Sequence, residues 1–87
     1  MKIIKKKSWP KDFELVLSGR KKFEIRLADF DVAEGDVLLL EEWDPQTEKY
    51  TGRKIEKRVS YIHSFNLDQY SQKKEIEEKG LYIIQLD

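Results

Sequence analysis

The chain contains no cysteine, which removes disulfides and thiolate metal sites and points to a reducing compartment. A single histidine, His63, excludes a multi-histidine metal centre; near the end of a strand it reads as structural or solvated. Long apolar runs are missing as well. The longest, Val37 to Leu40, falls far short of the ~20 residues that a membrane-spanning helix requires. The basic stretch Met1 to Lys7 is followed by no apolar run of signal-peptide length. These absences predict a protein that is neither secreted nor embedded in a membrane, with the cytoplasm as its compartment. Also lacking are a Walker loop, a dinucleotide glycine fingerprint, a Ser-His-Asp set and paired catalytic histidines, so no cofactor is implied. Asp29, Asp31 and Asp36 lack the glycine and distal glutamate of a calcium loop, and read as turn residues and partners for the basic N-terminal segment. No metal is expected.

What is present suffices for one small domain, residues 1–87. Apolar and charged residues each make up 39% of the chain, enough apolar material for one core but not two. At this size roughly 60–65% of the unfolded surface is buried on folding, so that core is thin. The net charge of zero conceals an asymmetry. Residues 1–26 carry nine Lys/Arg and three Asp/Glu, residues 27–50 one lysine and eight acids, giving blocks of +6 and −7. Blocks of this kind predict a polarised surface or internal ion pairing. A general nucleic-acid binder is usually basic overall, so any RNA contact here has to be local.

A short helix is well signed. Ser8 is placed to cap it, Pro10 to sit in its first turn, and Asp12 and Glu14 to favour its positive end. Phe13, Val16 and Leu17 fall at helical spacing with Trp9 one turn earlier, and Gly19 supplies a left-handed stop. Lys21 to Leu27 then alternates with period two, Phe23, Ile25 and Leu27 on one face and Lys22, Glu24 and Arg26 on the other. Further strands are predicted over Asp36 to Trp43, with its aliphatic run buried on both faces, and from Arg53 to about His63, burying Ile55, Val59 and Tyr61. Between them Asp44-Pro45 opens a loop that ends near Tyr50-Thr51-Gly52. Asn66 to Lys79 is polar and partly helical, and Leu81 to Leu86 reads as a central strand. An N-terminal strand is optional. With the crossover helices of a doubly wound sheet missing, the fold class is α+β: a small, bent, antiparallel β-barrel of four to six strands with a short N-terminal helix.

The segment from Gly19 to Arg26 concentrates the chemistry. On a strand starting at Lys21, Glu24 and Arg26 share a face about 6.5–7 Å apart. A guanidinium fork and a carboxylate on one rigid strand can hold a planar polar ligand, such as a base edge or a phosphate. Lys21 at the strand mouth is a donor to an anion, or a base if its pKa is lowered. The same alternation also suits an ordinary solvated edge, with Glu24 and Arg26 as a structural pair. Trp9 reads either as a core staple or as a stacking platform. Trp43, at a strand end, is placed for a base to stack on it. Tyr50 and Arg53 flank Thr51-Gly52, a turn that either presents them to a ligand or pins a hairpin.

The pattern Gly19, Lys21, Glu24, Arg26 resembles the Gly-x-Lys-x-x-Glu-x-Arg signature of the ASCH superfamily, whose members have a PUA-like β-barrel. Lys7-Ser8-Trp9-Pro10, Phe13, Phe23 to Arg26, Asp29, Gly35-Asp36, Glu42-Trp43-Asp44 and Tyr50-Thr51-Gly52-Arg53 are similar to its DUF3850 branch. The likeness runs from about Lys7 to Ile62 and resumes weakly at Gly80 to Leu86. It implies a cleft between the first helix and the barrel, lined by the signature side chains. It also implies an RNA or nucleotide-like ligand. Some relatives are amidohydrolases of acetylated cytidine that use a lysine, a threonine and a glutamate. Lys21 matches the lysine, but Glu24 stands where the nucleophilic threonine would be, and the attacking hydroxyl is lost. The chain also has Ile4 where the branch usually has a histidine, and Ala28-Asp29-Phe30 in place of Asn-Asp-Arg.

The expectation is a monomeric, non-enzymatic module that binds RNA or a nucleotide-like ligand. Its contacts are Arg20, Lys21, Glu24, Arg26, Trp43, Tyr50 and Arg53. The alternatives are a hydrolase of an N-acylated nucleoside, with Lys21 and Glu24 in acid–base roles, and a protein-interaction module using the oppositely charged blocks.

Overall fold

In the computed structural model, which describes residues 1–87 except the side chains of Gln69 and Tyr70, the sheet starts from one buried carboxylate. Asp36 accepts the backbone N–H of Lys2 at 3.0 Å and that of Ala33 at 2.9 Å, while Val37 N–H donates to the Lys2 carbonyl at 2.9 Å. These bonds align the N-terminus with the segment after Gly35, whose positive φ of 96° makes the turn. Strand β1 (Ile3–Ser8) therefore runs parallel to β2 (Val37–Asp44), from Ile3 opposite Val37 to Ser8 opposite Glu42. Strand β3 (Lys49–Arg58) pairs antiparallel on the other side of β2. The order is β1-β2-β3.

Helix α1 (Pro10–Leu17) connects β1 toward β2 and lies on one face of the sheet. It is the crossover helix that a parallel pair needs. Phe13 and Val16 turn inward onto Leu40, with Leu38 and Ile55 packed alongside. Phe13, Val16 and Leu40 are the whole buried apolar core among the described residues, and Leu38 and Ile55 are partly buried. Trp9 occupies the N-cap position with no side-chain cap, because Ser8, the expected cap, is the last residue of β1. Gly19 turns the chain at φ 81°, and Lys21 N–H closes onto the Leu15 carbonyl at 3.0 Å. A 3-10 turn (Leu67–Tyr70) and helix α2 (Lys73–Lys79) follow the sheet. No helix among the described residues is long and apolar enough to cross a membrane.

The α+β class holds, but the sheet is open, three-stranded and mixed where four to six antiparallel strands were expected. Lys21 to Leu27 forms no ladder. It is tied to its neighbours by side chains instead: Gln85 Oε1 accepts the Lys22 N–H at 2.7 Å, and Arg26 Nη2 donates to the Lys7 carbonyl of β1 at 2.8 Å. Leu81 to Leu86 is not a central strand and is exposed, since the centre of the sheet is taken by β2. The ladder of β3 starts four residues before Arg53 and ends at Arg58. It half-buries Ile55, while Val59 beyond its end is half-buried and Tyr61 is exposed.

With so few buried residues, each carries much of the stability. Phe13→Ala is expected to cost about 3–5 kcal/mol in urea unfolding, and an exposed neighbour change such as Lys11→Ala less than about 0.5 kcal/mol. Equal effects would mean that α1 does not pack as described.

Candidate functional site

Strand β3 contains an irregularity that organises one side of α1. Pairing runs from Asp44 opposite Lys49 to Trp43 opposite Tyr50, then resumes at Glu41 opposite Lys54. Thr51, Gly52 and Arg53 thus all stand against the single residue Glu42. This is a bulge, made possible by Gly52 at φ 95°. Its effect is to bring two donors onto one carboxylate. Arg53 grips Glu42 with Nε to Oε1 at 2.9 Å and Nη2 to Oε2 at 2.8 Å, and the Thr51 hydroxyl donates to Oε1 at 2.7 Å. Arg53 Nη2 also reaches Glu14 of α1 at 3.0 Å, and the guanidinium lies 4.9 Å from the Phe13 ring centroid.

The Glu42 side chain is only 5% exposed. The Arg53 fork, and secondarily the Thr51 hydroxyl, pulls its pKa down to about 2, and the same bonds hold Arg53 above its usual range. Asp36 is lowered as well, by the N–H groups of Ala33 and Lys2. Arg53 is thereby a structural ion-pair partner first. With Glu42, Arg20, Lys11 and Glu14 it lines a recess of about 590 Å³ beside α1.

On the other side of α1 lies a second recess, of about 470 Å³, lined by Lys7, Ser8, Trp9, Asp12, Lys21, Glu24, Ile25 and Arg26. Here three of the five ionic residues of the Gly19–Arg26 segment, Lys21, Glu24 and Arg26, share one concave surface. Arg26 Nε donates to Glu24 Oε2 at 3.0 Å, and Lys21 Nζ lies 3.3 Å from Asp12 Oδ1 and 5.3 Å from the Phe23 ring centroid. Glu24 and Lys21 are largely enclosed, their side chains 19% and 18% exposed. Ser8 lines the same recess, and its hydroxyl is buried with no hydrogen-bond partner, an uncommon condition for a polar atom. Trp9 is 58% exposed, so it is not a core staple.

Trp43 and Tyr50 join neither recess. They face each other across β2 and β3, with the Lys7 ammonium 4.4 Å from the Trp43 centroid and 5.9 Å from that of Tyr50. The seven residues singled out in the sequence thus occupy three places: Lys21, Glu24 and Arg26 in one recess, Arg20 and Arg53 in the other, and the aromatic pair under Lys7. Sequence reasoning missed Ser8 as a lining residue, Asp12, and the central role of Glu42. Hairpin arithmetic held a signal for Glu42, because pairing Asp44 with Lys49 across the turn carries Glu42 to Thr51.

Residues 3–75 match the family described as a domain of unknown function, DUF3850. The chain belongs to that family. A DUF3850 relative in sequence is the "Uncharacterized 12.9 kDa protein in GpA 3'region" of Escherichia phage P2, 42% identical over 61 residues, which cover 70% of this chain and 54% of the phage protein. The DUF3850 chain therefore spans about half the length of that relative. No solved structure matches it.

The Glu42 pKa fixes a pH signature for this DUF3850 domain. A carboxylate lowered from 4.5 to about 2 contributes stability in full above its unfolded value and loses it as pH falls toward its folded one. Urea midpoints are expected to fall between pH 4.5 and 2, and Glu42→Gln to flatten that segment. Arg53→Ala, which strands the buried carboxylate, is expected to lower Tm at neutral pH by about 10 °C or more. An Arg53→Ala protein as stable as the parent would remove the ion pair from the account.

Proposed function

We propose that the domain is a binding module for a nucleotide-like ligand, a free nucleotide or a residue of RNA. The ligand occupies the recess between α1 and residues 21–26. The observation that carries this reading is the meeting of Lys21, Glu24 and Arg26 in one recess with the unpartnered Ser8 hydroxyl.

The donor and acceptor inventory favours a nucleobase edge over a simple anion. Arg26 keeps N–H donors beyond those given to Glu24 and Lys7, and Lys21 keeps donors beyond its bond to Asp12. Glu24 and Asp12 are acceptors, which a bare phosphate cannot use and a base edge can. With the Lys7 ammonium over the Trp43 ring, Lys21 and Arg26 against Asp12 and Glu24 leave the recess neutral, which also favours a base edge over a free anion. Trp9 offers an exposed ring for stacking.

In this reading the domain is an ASCH relative with a PUA-like barrel. The reach of Gln85 to Lys22 and Arg20 supports closure, bringing Leu81 to Leu86 toward Lys21 to Leu27. The lack of cysteine supports a cytoplasmic setting, and the domain acts as a monomer. Binding is favoured over hydrolysis of an N-acylated nucleoside because both candidate catalytic groups are occupied, Lys21 by Asp12 and Glu24 by Arg26.

Titration with nucleosides and mononucleotides, followed by amide chemical shifts, tests the reading. Shifts are expected at residues 7–12 and 21–26, with binding weakened about tenfold or more in Arg26→Ala. Ser8→Ala removes a hydroxyl that has no partner in the free protein, so Tm is expected to hold or rise while affinity falls. Shifts that avoid both segments at millimolar ligand would overturn the assignment.

A further inference from the structure

The face of the sheet turned away from α1 carries a second pattern. Alternation along the strands puts Leu38, Leu40 and Glu42 toward the helix, and Val37, Leu39, Glu41 and Trp43 away from it. The registers bring Lys5 and Lys7 of β1, and Tyr50, Lys54 and Arg58 of β3, to that same outer face. All five are exposed, and the helix that packs on the sheet, α1, lies on the opposite face with Leu38 and Leu40.

Two features separate this face from ordinary solvation. The first is the cross-strand aromatic pair of Trp43 and Tyr50, with Tyr50 52% exposed. The second is the arrangement of its cations. Lys2, Lys21, Arg26 and Arg53 are in ion pairs, while Lys11, Arg20, Lys22, Lys49 and Lys57 elsewhere are unpaired as well among the described residues. What marks this face is that its cations lie in a row beside an aromatic pair. On the outer face Glu41 sits laterally between Lys7 and Lys54, yet neither ammonium pairs with it. Lys7 lies over the Trp43 ring instead, and Lys5, Lys54 and Arg58 have no acidic partner among the described residues. With Glu41 and Glu56 counted, the face is +2.

We infer that this outer face is a platform for a single-stranded nucleic acid running out of the recess, with one base stacked on Tyr50 and the backbone tracking Lys54, Lys5 and Arg58. The inference rests on the reading of the recess as a nucleotide site. Lys7 connects the two, since it lines the recess and its ammonium covers the aromatic pair. From Trp43 to Val37 the face extends about 20 Å at the usual strand rise, room for the ~4 nucleotides at the small end of single-strand site sizes. Exposed rings and unspent cations in a row are what stacking and phosphate neutralisation require. A base-paired duplex hides its ring faces from such a surface.

The test compares uridine monophosphate, single-stranded uridylate oligomers of increasing length, and a duplex, by calorimetric titration over a range of salt. The single strands are expected to bind at least tenfold more tightly than the mononucleotide, and more tightly than the duplex. Tyr50→Ala is expected to lose roughly tenfold of the oligomer affinity. A Lys54→Glu, Arg58→Glu double variant is expected to lose the length-dependent gain and to flatten the salt dependence, with Tm and mononucleotide binding unchanged. If the mononucleotide binds but oligomers bind no tighter, or if the duplex binds equally well, the platform is overturned and the recess stands. If neither mononucleotide nor oligomer binds, both readings fall.

Discussion

The fold depends on holding one carboxylate charged where water is nearly absent. Glu42 lies on the inner face of β2, in the row that buries Leu38 and Leu40, a position where an unpaired acid would be severely penalised. Two elements are recruited to prevent that. The bulge at Thr51–Arg53 supplies a fork and a hydroxyl from β3, and Glu14 of α1 takes a remaining donor of the same guanidinium. The ion pair therefore clamps helix, central strand and edge strand together. Replacing such a pair with apolar groups is often neutral or stabilising in other proteins, whereas removing one partner is not. Its contribution here is to fix register, because a shifted hairpin would lose the two-point grip of the Arg53 fork together with the Thr51 hydroxyl on Glu42.

That clamp explains which parts of the structure were legible in the sequence. The helix was readable because Phe13 and Val16 at helical spacing, Pro10 at its start and Gly19 at its end are local signals. The hairpin was half readable. Asp44-Pro45 marked its turn, but Tyr50-Thr51-Gly52-Arg53 reads as a turn only until the partner residue is known; opposite Glu42 it is a bulge inside a strand. Residues 21–27 misled for a different reason. Period-two alternation records which way side chains point, not whether the backbone finds a ladder, and here Gln85 and Arg26 take the places of ladder bonds. Ser8 was misassigned because a serine before Pro10 fits a cap, while β1 carries it one step too early to reach the helix N–H groups.

The candidate site was legible in kind more than in extent. Gly19 to Arg26 announced a clustered set of charges, and those charges do converge. The sequence left open whether Glu24 and Arg26 pair with each other, which they do, and gave no sign that Lys21 pairs with Asp12. A ligand in this recess must compete with Asp12 for Lys21 and with Arg26 for Glu24, so binding there is an exchange of partners rather than an occupation of free groups. Exchange of this type favours ligands that present donors and acceptors together, since a ligand offering only one kind leaves the displaced partner unsatisfied.

The recess itself follows from the failure of residues 21–27 to join the sheet. A backbone ladder would hold that segment about 4.8 Å from β1 and leave no space between them. Instead the link to the edge of β1 is the full length of an arginine side chain, from Arg26 to the Lys7 carbonyl, and the link to the C-terminal segment is a glutamine side chain. Long side chains used as struts keep the segment at a distance while still satisfying backbone groups. The interval they hold open is where Ser8 retains an unanswered hydroxyl. An apolar residue at position 26 would therefore remove a ligand contact and also the spacer, letting residues 21–27 collapse onto the open edge of β1. If the recess binds a ligand as proposed, binding and architecture are coupled at Arg26, and an arginine answers both requirements because its fork has more donors than the scaffold consumes.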